Sequence, residues 1–254
     1  MKKFLDYKEI KISYLIEGEG EALVFLHGYL EAKEIWKKFS KQFSGKYKVI
    51  CIDLPGHGES GVLGDIHKMD EMAAITDAVL QHEKIDLCVL FGHSMGGYAV
   101  MSFVENYPGK LKGYCLFHST CFADNEEKKD NRDREIALVM CGKKNQIIHT
   151  NIPKAFADSN LESLEEEIQR AKEIAMASSD DGTLALIRGM KDRKDHSEAL
   201  IRPVPPALII WGKRDNYISA EVFTKLVALA PHASIIVLKN SGHMGFIEEP
   251  ECAY

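Results

Sequence analysis

The sequence predicts an α/β protein built on a mostly parallel sheet with helices on both faces. Short apolar runs such as Ala22-Leu23-Val24-Phe25-Leu26 and Lys48-Val49-Ile50-Cys51-Ile52-Asp53-Leu54 have the length and unbroken apolar character of strands covered on both sides. Segments with apolar residues at helical intervals lie between them, and strands separated by helices pair in parallel. With 254 residues, 45% apolar and 28% charged, the chain is long enough for a substantial core.

Residues 3 to 16 read as two short strands with mixed alternation, and Gly18-Glu19-Gly20 turns the chain into the strand at 22 to 26. Ile35, Trp36, Phe39 and Phe43 follow at helical spacing, before the strand at 48 to 54. Next come a helix near 68 to 82 with Met69, Met72, Ile75 and Val79 inward, a strand at 86 to 91, a helix at 95 to 107 and a strand at 112 to 118. The alternation stops at residue 121 and resumes near 207 with Ala207-Leu208-Ile209-Ile210-Trp211-Gly212, a helix at 219 to 230 and the strand Ser234-Ile235-Ile236-Val237-Leu238. The intervening segment reads as helical and highly charged over Glu126 to Lys144, Leu161 to Ala177 and Thr183 to Asp192, and Pro203, Pro205 and Pro206 close it. The expected division is a core of residues 1–120 and 201–254 with an inserted helical lid over 121–200. Such a lid would cover the C-terminal edge of the sheet, where open α/β sheets bind ligands; solvated packing helices are the plainer alternative.

Net charge is −6 with the basic residues scattered, which argues against nucleic acid or an anionic membrane as partner and for a small molecule. Charges interrupt the N-terminal Met1-Lys2-Lys3-Phe4-Leu5-Asp6 too early for a signal peptide, and no run approaches a membrane span. Of six cysteines, Cys51, Cys88 and Cys115 sit in strand-like runs as small buried side chains; no spacing suggests zinc or a disulfide framework, so a cytoplasmic location is expected.

The chemistry centres on Gly92-His93-Ser94-Met95-Gly96, placed between the apolar run Leu87-Cys88-Val89-Leu90-Phe91 and a helix-like segment. In a G-x-S-x-G elbow the serine occupies a strained strand-to-helix turn, and the two glycines let neighbouring backbone come close. The pattern alone arises by chance in roughly one of ten chains of this size, so its context matters. A serine hydroxyl needs a base, usually an imidazole oriented by a carboxylate. Asp215 follows the strand ending at Gly212, and His243 follows the next strand in Asn240-Ser241-Gly242-His243-Met244-Gly245. All three therefore lie past the C-terminal ends of strands, in the chain order Ser, Asp, His. An oxyanion would need two donors: the Met95 N–H comes with the elbow, and Tyr29, in His27-Gly28-Tyr29 after the strand at 22 to 26, is the second candidate.

These motifs resemble those of the α/β-hydrolase fold over nearly the whole chain. The elbow with Gly97, the His27-Gly28 loop, Asp53-Leu54-Pro55-Gly56-His57-Gly58-Glu59-Ser60 and the Asp215 and His243 loops match in order and spacing. The resemblance implies an eight-stranded, mostly parallel sheet with a helical cap after the sixth strand, in agreement with the eight strands read above. It also implies structural roles for Asp53, Ser60, His57 and His27. A serine at the elbow argues against epoxide opening and dehalogenation, which use aspartate there. Among capped members with His-Ser-Met-Gly-Gly elbows, the sequence is similar to small carboxylesterases and to acyl-carrier-protein methyl ester esterases. In these relatives a final helix follows the histidine loop; here the sequence ends in Glu249-Pro250-Glu251-Cys252-Ala253-Tyr254, where Pro250 suits a helix's first turn.

The reading is a serine hydrolase of a small carboxylic ester or thioester, with Ser94 as nucleophile, His243 as base, Asp215 as its orienting carboxylate, and Tyr29 and Met95 amides holding the oxyanion, without metal or organic cofactor. Activity is expected to fall below roughly pH 6 to 7, where an imidazole becomes protonated. Two rivals keep the triad: a lyase or carbon–carbon hydrolase, and a sensor that signals through cap movement. Met95, Tyr98, Phe122, Met140, Phe156, Tyr217 and Met244 are candidates for an apolar pocket. Lys128, Lys129, Arg132 and Arg134 alternate with Glu126, Glu127, Asp130, Asp133 and Glu135, so no basic face is evident in the insertion.

Overall fold

The computed structural model describes residues 1–254. Its strands are β1 (Lys2–Tyr7), β2 (Ile10–Glu17), β3 (Ala22–Leu26), β4 (Lys48–Ile52), β5 (Cys88–His93), β6 (Leu111–Phe117), β7 (Ala207–Gly212) and β8 (Ser234–Leu238). They form one sheet in the order β1-β2-β4-β3-β5-β6-β7-β8. The β1/β2 and β2/β4 pairs are antiparallel and all others parallel, so the expected fold class is met.

The helices are α1 (Lys37–Ser40), α2 (Met69–His82), α3 (Met95–Asn106), α4 (Glu126–Met140), α5 (Lys144–Lys154), α6 (Glu165–Met176), α7 (Asp180–Lys191), α8 (Ser197–Ile201), α9 (Ala220–Leu229), α10 (Gly245–Glu248) and α11 (Pro250–Ala253). None is long and apolar enough to cross a membrane. Helices α4 to α8 all lie between β6 and β7, and all but the last residue of α8, Ile201, fall in the segment read as an insertion.

Three details differ from the sequence reading. The helical spacing of Ile35 to Phe43 produces α1 flanked by two 3-10 turns, Lys33–Trp36 and Lys41–Phe43, rather than one continuous helix. The helix expected over Glu126 to Lys144 ends at Met140, because Gly142 takes a left-handed φ of 71° and redirects the chain into α5. Helix α5 has no counterpart in the helical spacing of the sequence; it contains Pro153 in its last turn, a residue that ordinarily signals the end of a helix.

Parallel register places the core directly under the strand ends that precede Ser94, Asp215 and His243. Phe25 of β3 and Phe91 of β5 are register partners and their rings stack at 4.8 Å. Trp36, fully buried, meets Phe25, Phe39, Phe117 and Phe246, so one indole joins β3, β6 and the helix after the His243 loop. The Asp53 to Ser60 turn is held by a buried ion pair, Lys33 Nζ to Asp53 Oδ2 at 2.6 Å, and by the Ser60 hydroxyl donating to the Asp53 carbonyl at 2.7 Å. The Leu54 N–H donates to His27 Nε2 at 3.0 Å, tying that turn to the loop after β3. These partners are those of a scaffold. Cys51, Cys88 and Cys115 are buried free thiols, as expected.

Trp36→Ala removes the largest of these contacts and is expected to destabilise the protein by roughly 3–5 kcal/mol, read as a lowered urea midpoint with an unchanged slope.

Candidate active site

Strand β5 ends at His93, and α3 begins at Met95; Ser94 between them has φ 48° and ψ −113°, a conformation L-residues rarely adopt. The glycines around it explain how the chain makes this turn. A Cβ at Gly92 would stand 2.5 Å from the Gly96 carbonyl oxygen, and one at Gly96 would stand 2.4 Å from that of Leu26. The strained residue is anchored on both sides: its N–H donates to the Phe117 carbonyl at 3.0 Å, and the Ser119 hydroxyl donates to its carbonyl at 2.6 Å. Its own hydroxyl makes no hydrogen bond within the protein.

Asp215 lies fully buried behind His243, with the His243 Nδ1–H donating to its Oδ2 at 2.8 Å. Its other oxygen, Oδ1, accepts the Tyr217 and Ile218 N–H groups at 2.7 and 2.9 Å. Burial alone would raise the Asp215 carboxyl; the charge and hydrogen bond of His243 and the hydrogen bond of His118 outweigh it and hold it well below the usual carboxylate range.

His118 is a residue that sequence reasoning missed. It sits at the end of β6 with φ 49°, and its Nδ1 lies 3.2 Å from Asp215 Oδ2. Its Nε2 accepts the Gly245 N–H at 3.1 Å, and its Nδ1 stands 3.2 Å from both Asp215 Oδ2 and the Gly212 nitrogen; a proton on Nδ1 meets the Gly245 and Asp215 contacts, two of the three, and makes His118 a second donor to the carboxylate. Burial pushes its pKa down to about 4, so the ring is neutral. The available signal was its place, a polar residue immediately after an apolar strand at the same sheet edge as the elbow. His118, Asp215 and His243 also form a group of metal-ligand type, their ligand atoms within 4.8 Å of one another, but those atoms already hydrogen-bond among themselves.

A second buried pair ties the elbow to its neighbours. His93 Nδ1 is 2.9 Å from Glu31 Oε2, and its Nε2 is 2.9 Å from the His243 carbonyl oxygen. Both partners accept, so both ring nitrogens carry protons and the pair is imidazolium with carboxylate. Burial opposes charging His93, yet the Glu31 charge and hydrogen bond raise its pKa above the ordinary value; burial likewise opposes charge on Glu31, but His93 and the Gly28 N–H lower it. Glu31 thereby fixes the loop of Gly28 and Tyr29. The amides of Tyr29 and Met95 enter none of the loop and turn hydrogen bonds and remain free to donate.

Tyr29, Ser94 and His243 line one cavity of about 520 Å³. Of the apolar candidates, Tyr98, Phe156, Tyr217 and Met244 reach this cavity. Met95 is instead buried in the core, Met140 is exposed and Phe122 lies elsewhere. The insertion supplies much of the wall through Lys128, Arg132, Glu135 and Leu138 of α4 and Asn151, Ile152 and Lys154 of α5.

An eight-stranded, mostly parallel sheet with a serine elbow and a carboxylate-held histidine at one edge defines the class of α/β hydrolases. The chain belongs to the alpha/beta hydrolase family, whose model matches residues 23–253. A thermophilic esterase from Thermogutta terrifontis superposes with a TM-score of 0.93 at 25% identity, over 100% of this chain and 95% of that one. A pimeloyl-[acyl-carrier protein] methyl ester esterase of Xanthomonas campestris is 27% identical over 244 residues, covering 91% of this chain and 90% of that protein. A dihydrolipoyllysine-residue acetyltransferase component of the acetoin cleaving system of Pseudomonas putida is 28% identical over 237 residues; the match takes in 92% of this chain but 62% of that longer protein.

The buried pair sets a pH window for stability. His93, raised above 6.5, contributes stability that is complete below that value and lost as pH rises through its higher folded pKa; Glu31, lowered below 4.5, contributes stability complete above that value and lost as pH falls through its lower one. Glu31→Gln is therefore expected to cost roughly 3–5 kcal/mol between these values, with the gap to the parent narrowing at more acid and more alkaline pH in urea titrations.

Proposed function

We propose that the protein is a serine hydrolase cleaving a small carboxylic ester or thioester through an acyl-enzyme. The observation that carries the reading is the imidazole of His243, held by an ionised Asp215 and exposed to the cavity that Ser94 lines. Ser94 Oγ attacks the acyl carbon while His243 Nε2 takes its proton, and the free amides of Tyr29 and Met95 stabilise the oxyanion. Collapse breaks the bond to the alcohol or thiol, which leaves with that proton. Water, deprotonated by His243, then attacks the acyl carbon; the bond to Oγ breaks, the proton returns to the serine, and a carboxylic acid is released.

Likeness to two esterases supports the ester as substrate. Residues 121–200 act in this reading as a lid that closes the cavity from above the sheet edge, and the partner is a small molecule. A carbon–carbon bond in place of the ester is the rival chemistry for the same three side chains. Aryl esters of increasing acyl length distinguish the two, since an esterase turns over at least the short ones.

Ser94→Ala is expected to lower ester turnover by roughly 10⁴- to 10⁶-fold and abolish fluorophosphonate labelling, with the urea midpoint near that of the parent. Full-rate hydrolysis by this variant would refute the assignment.

A further inference from the structure

The chain carries a net charge of −6, yet its cavity is lined by Lys128, Arg132, Arg134 and Lys154 against two carboxylates, Glu31 and Glu135. Glu31 is already engaged by His93 at 2.9 Å. Helical periodicity produces the imbalance. Lys128, Asn131, Arg132, Glu135 and Leu138 recur on α4 at intervals of three and four and face the cavity, whereas Glu126, Glu127, Asp130 and Asp133 are exposed and absent from its wall. The sequence showed no basic face because the two sets alternate along the chain.

Arg132 is largely enclosed, with 19% of its side chain exposed. Its Nε reaches Asp124 Oδ2 at 3.3 Å and its Nη1 reaches Glu135 Oε2 at 3.4 Å, both long for charge-assisted bonds, and its Nη2 has no partner. In the same cavity the Tyr29 hydroxyl is buried without any hydrogen-bond partner. Burial raises the Tyr29 phenol well above its ordinary pKa, so it stays a donor. A free guanidinium nitrogen and an unsatisfied phenol in a predominantly cationic enclosure are matched by a planar oxyanion, and a carboxylate has that shape.

We propose that the substrate is an ester bearing a carboxylate of its own, received by Arg132 and the Tyr29 hydroxyl. The chemistry rests on the ester hydrolase reading above; the binding does not. Two matched pairs test it by pH-stat: monomethyl glutarate against methyl pentanoate places the charge on the acyl side, and acetoxyacetate against ethyl acetate places it on the leaving side. For one pair, kcat/KM is expected to favour the charged ester by roughly tenfold or more at low salt, with the ratio shrinking as ionic strength rises. Arg132→Met should remove most of that preference. Tyr29→Phe, which deletes a hydroxyl with no partner in the fold, should reduce it and covers the case of a poorly folded arginine variant.

Glutarate binding, followed as a rise in Tm, requires no turnover. Equal hydrolysis of charged and neutral esters, or a preference that survives both substitutions, overturns the proposal. Should no ester react, a glutarate-dependent rise in Tm that is weakened in Tyr29→Phe still supports the carboxylate site and counts against the ester reading alone; no rise overturns the site.

Discussion

The arrangement of the site depends on one buried ion pair. His93 precedes the strained serine, and its two ring protons reach Glu31 in the loop after β3 and the His243 carbonyl in the loop after β8. Three chain segments far apart in sequence are thus referred to one imidazolium. Neither charge could be buried alone, because an isolated ion in the interior would give up its charge instead. Each justifies the other, and the pair converts a desolvation cost into a geometric constraint on the elbow, the loop after β3 and the loop after β8 together.

Asp215 shows the same logic with donors in place of a counter-ion. Two backbone amides hold one oxygen and two imidazoles share the other, so the carboxylate remains ionised at full burial. His118 brings a donor without a charge, since burial keeps it neutral. Of the two imidazoles, His243 is the one that opens on the cavity.

The parts legible in the sequence were those whose chemistry and place in the chain coincide. Ser94, Asp215 and His243 each follow an apolar strand within a few residues, and a parallel sheet brings such positions to one edge. Glu31 and His93 carry no such mark, being 62 residues apart and individually ordinary. His118 was hidden because a lone histidine after a strand has no partner in sequence. Helix α5 was obscured by its asparagines and Pro153, whose low helix propensity is overridden by burial of Ile147, Ile148 and Ile152. The charge pattern of α4 was present in the sequence, but linear alternation concealed what a 3.6-residue period sorts onto two faces.

The end of α5 modifies the idea of a detached lid. The last carbonyls of a helix lack intrahelical partners, and here donors from the two site loops meet them. The Asn151 carbonyl accepts the Tyr217 hydroxyl at 2.9 Å, that of Lys154 accepts Asn216 Nδ2 at 3.2 Å, and that of Ala155 accepts the His243 amide at 2.6 Å. Glu248 adds a bridge from the other side: it accepts the Ala157 N–H with one carboxylate oxygen and the Gly242 N–H with the other, each at 2.8 Å. This part of the insertion is fastened to the loops carrying Asp215 and His243, so displacing it would disturb both. Helix α4 is joined to this anchor in turn: Asn151 Nδ2 donates to Glu135 Oε1 at 3.1 Å, so the wall that carries Arg132 is referred to the same loops.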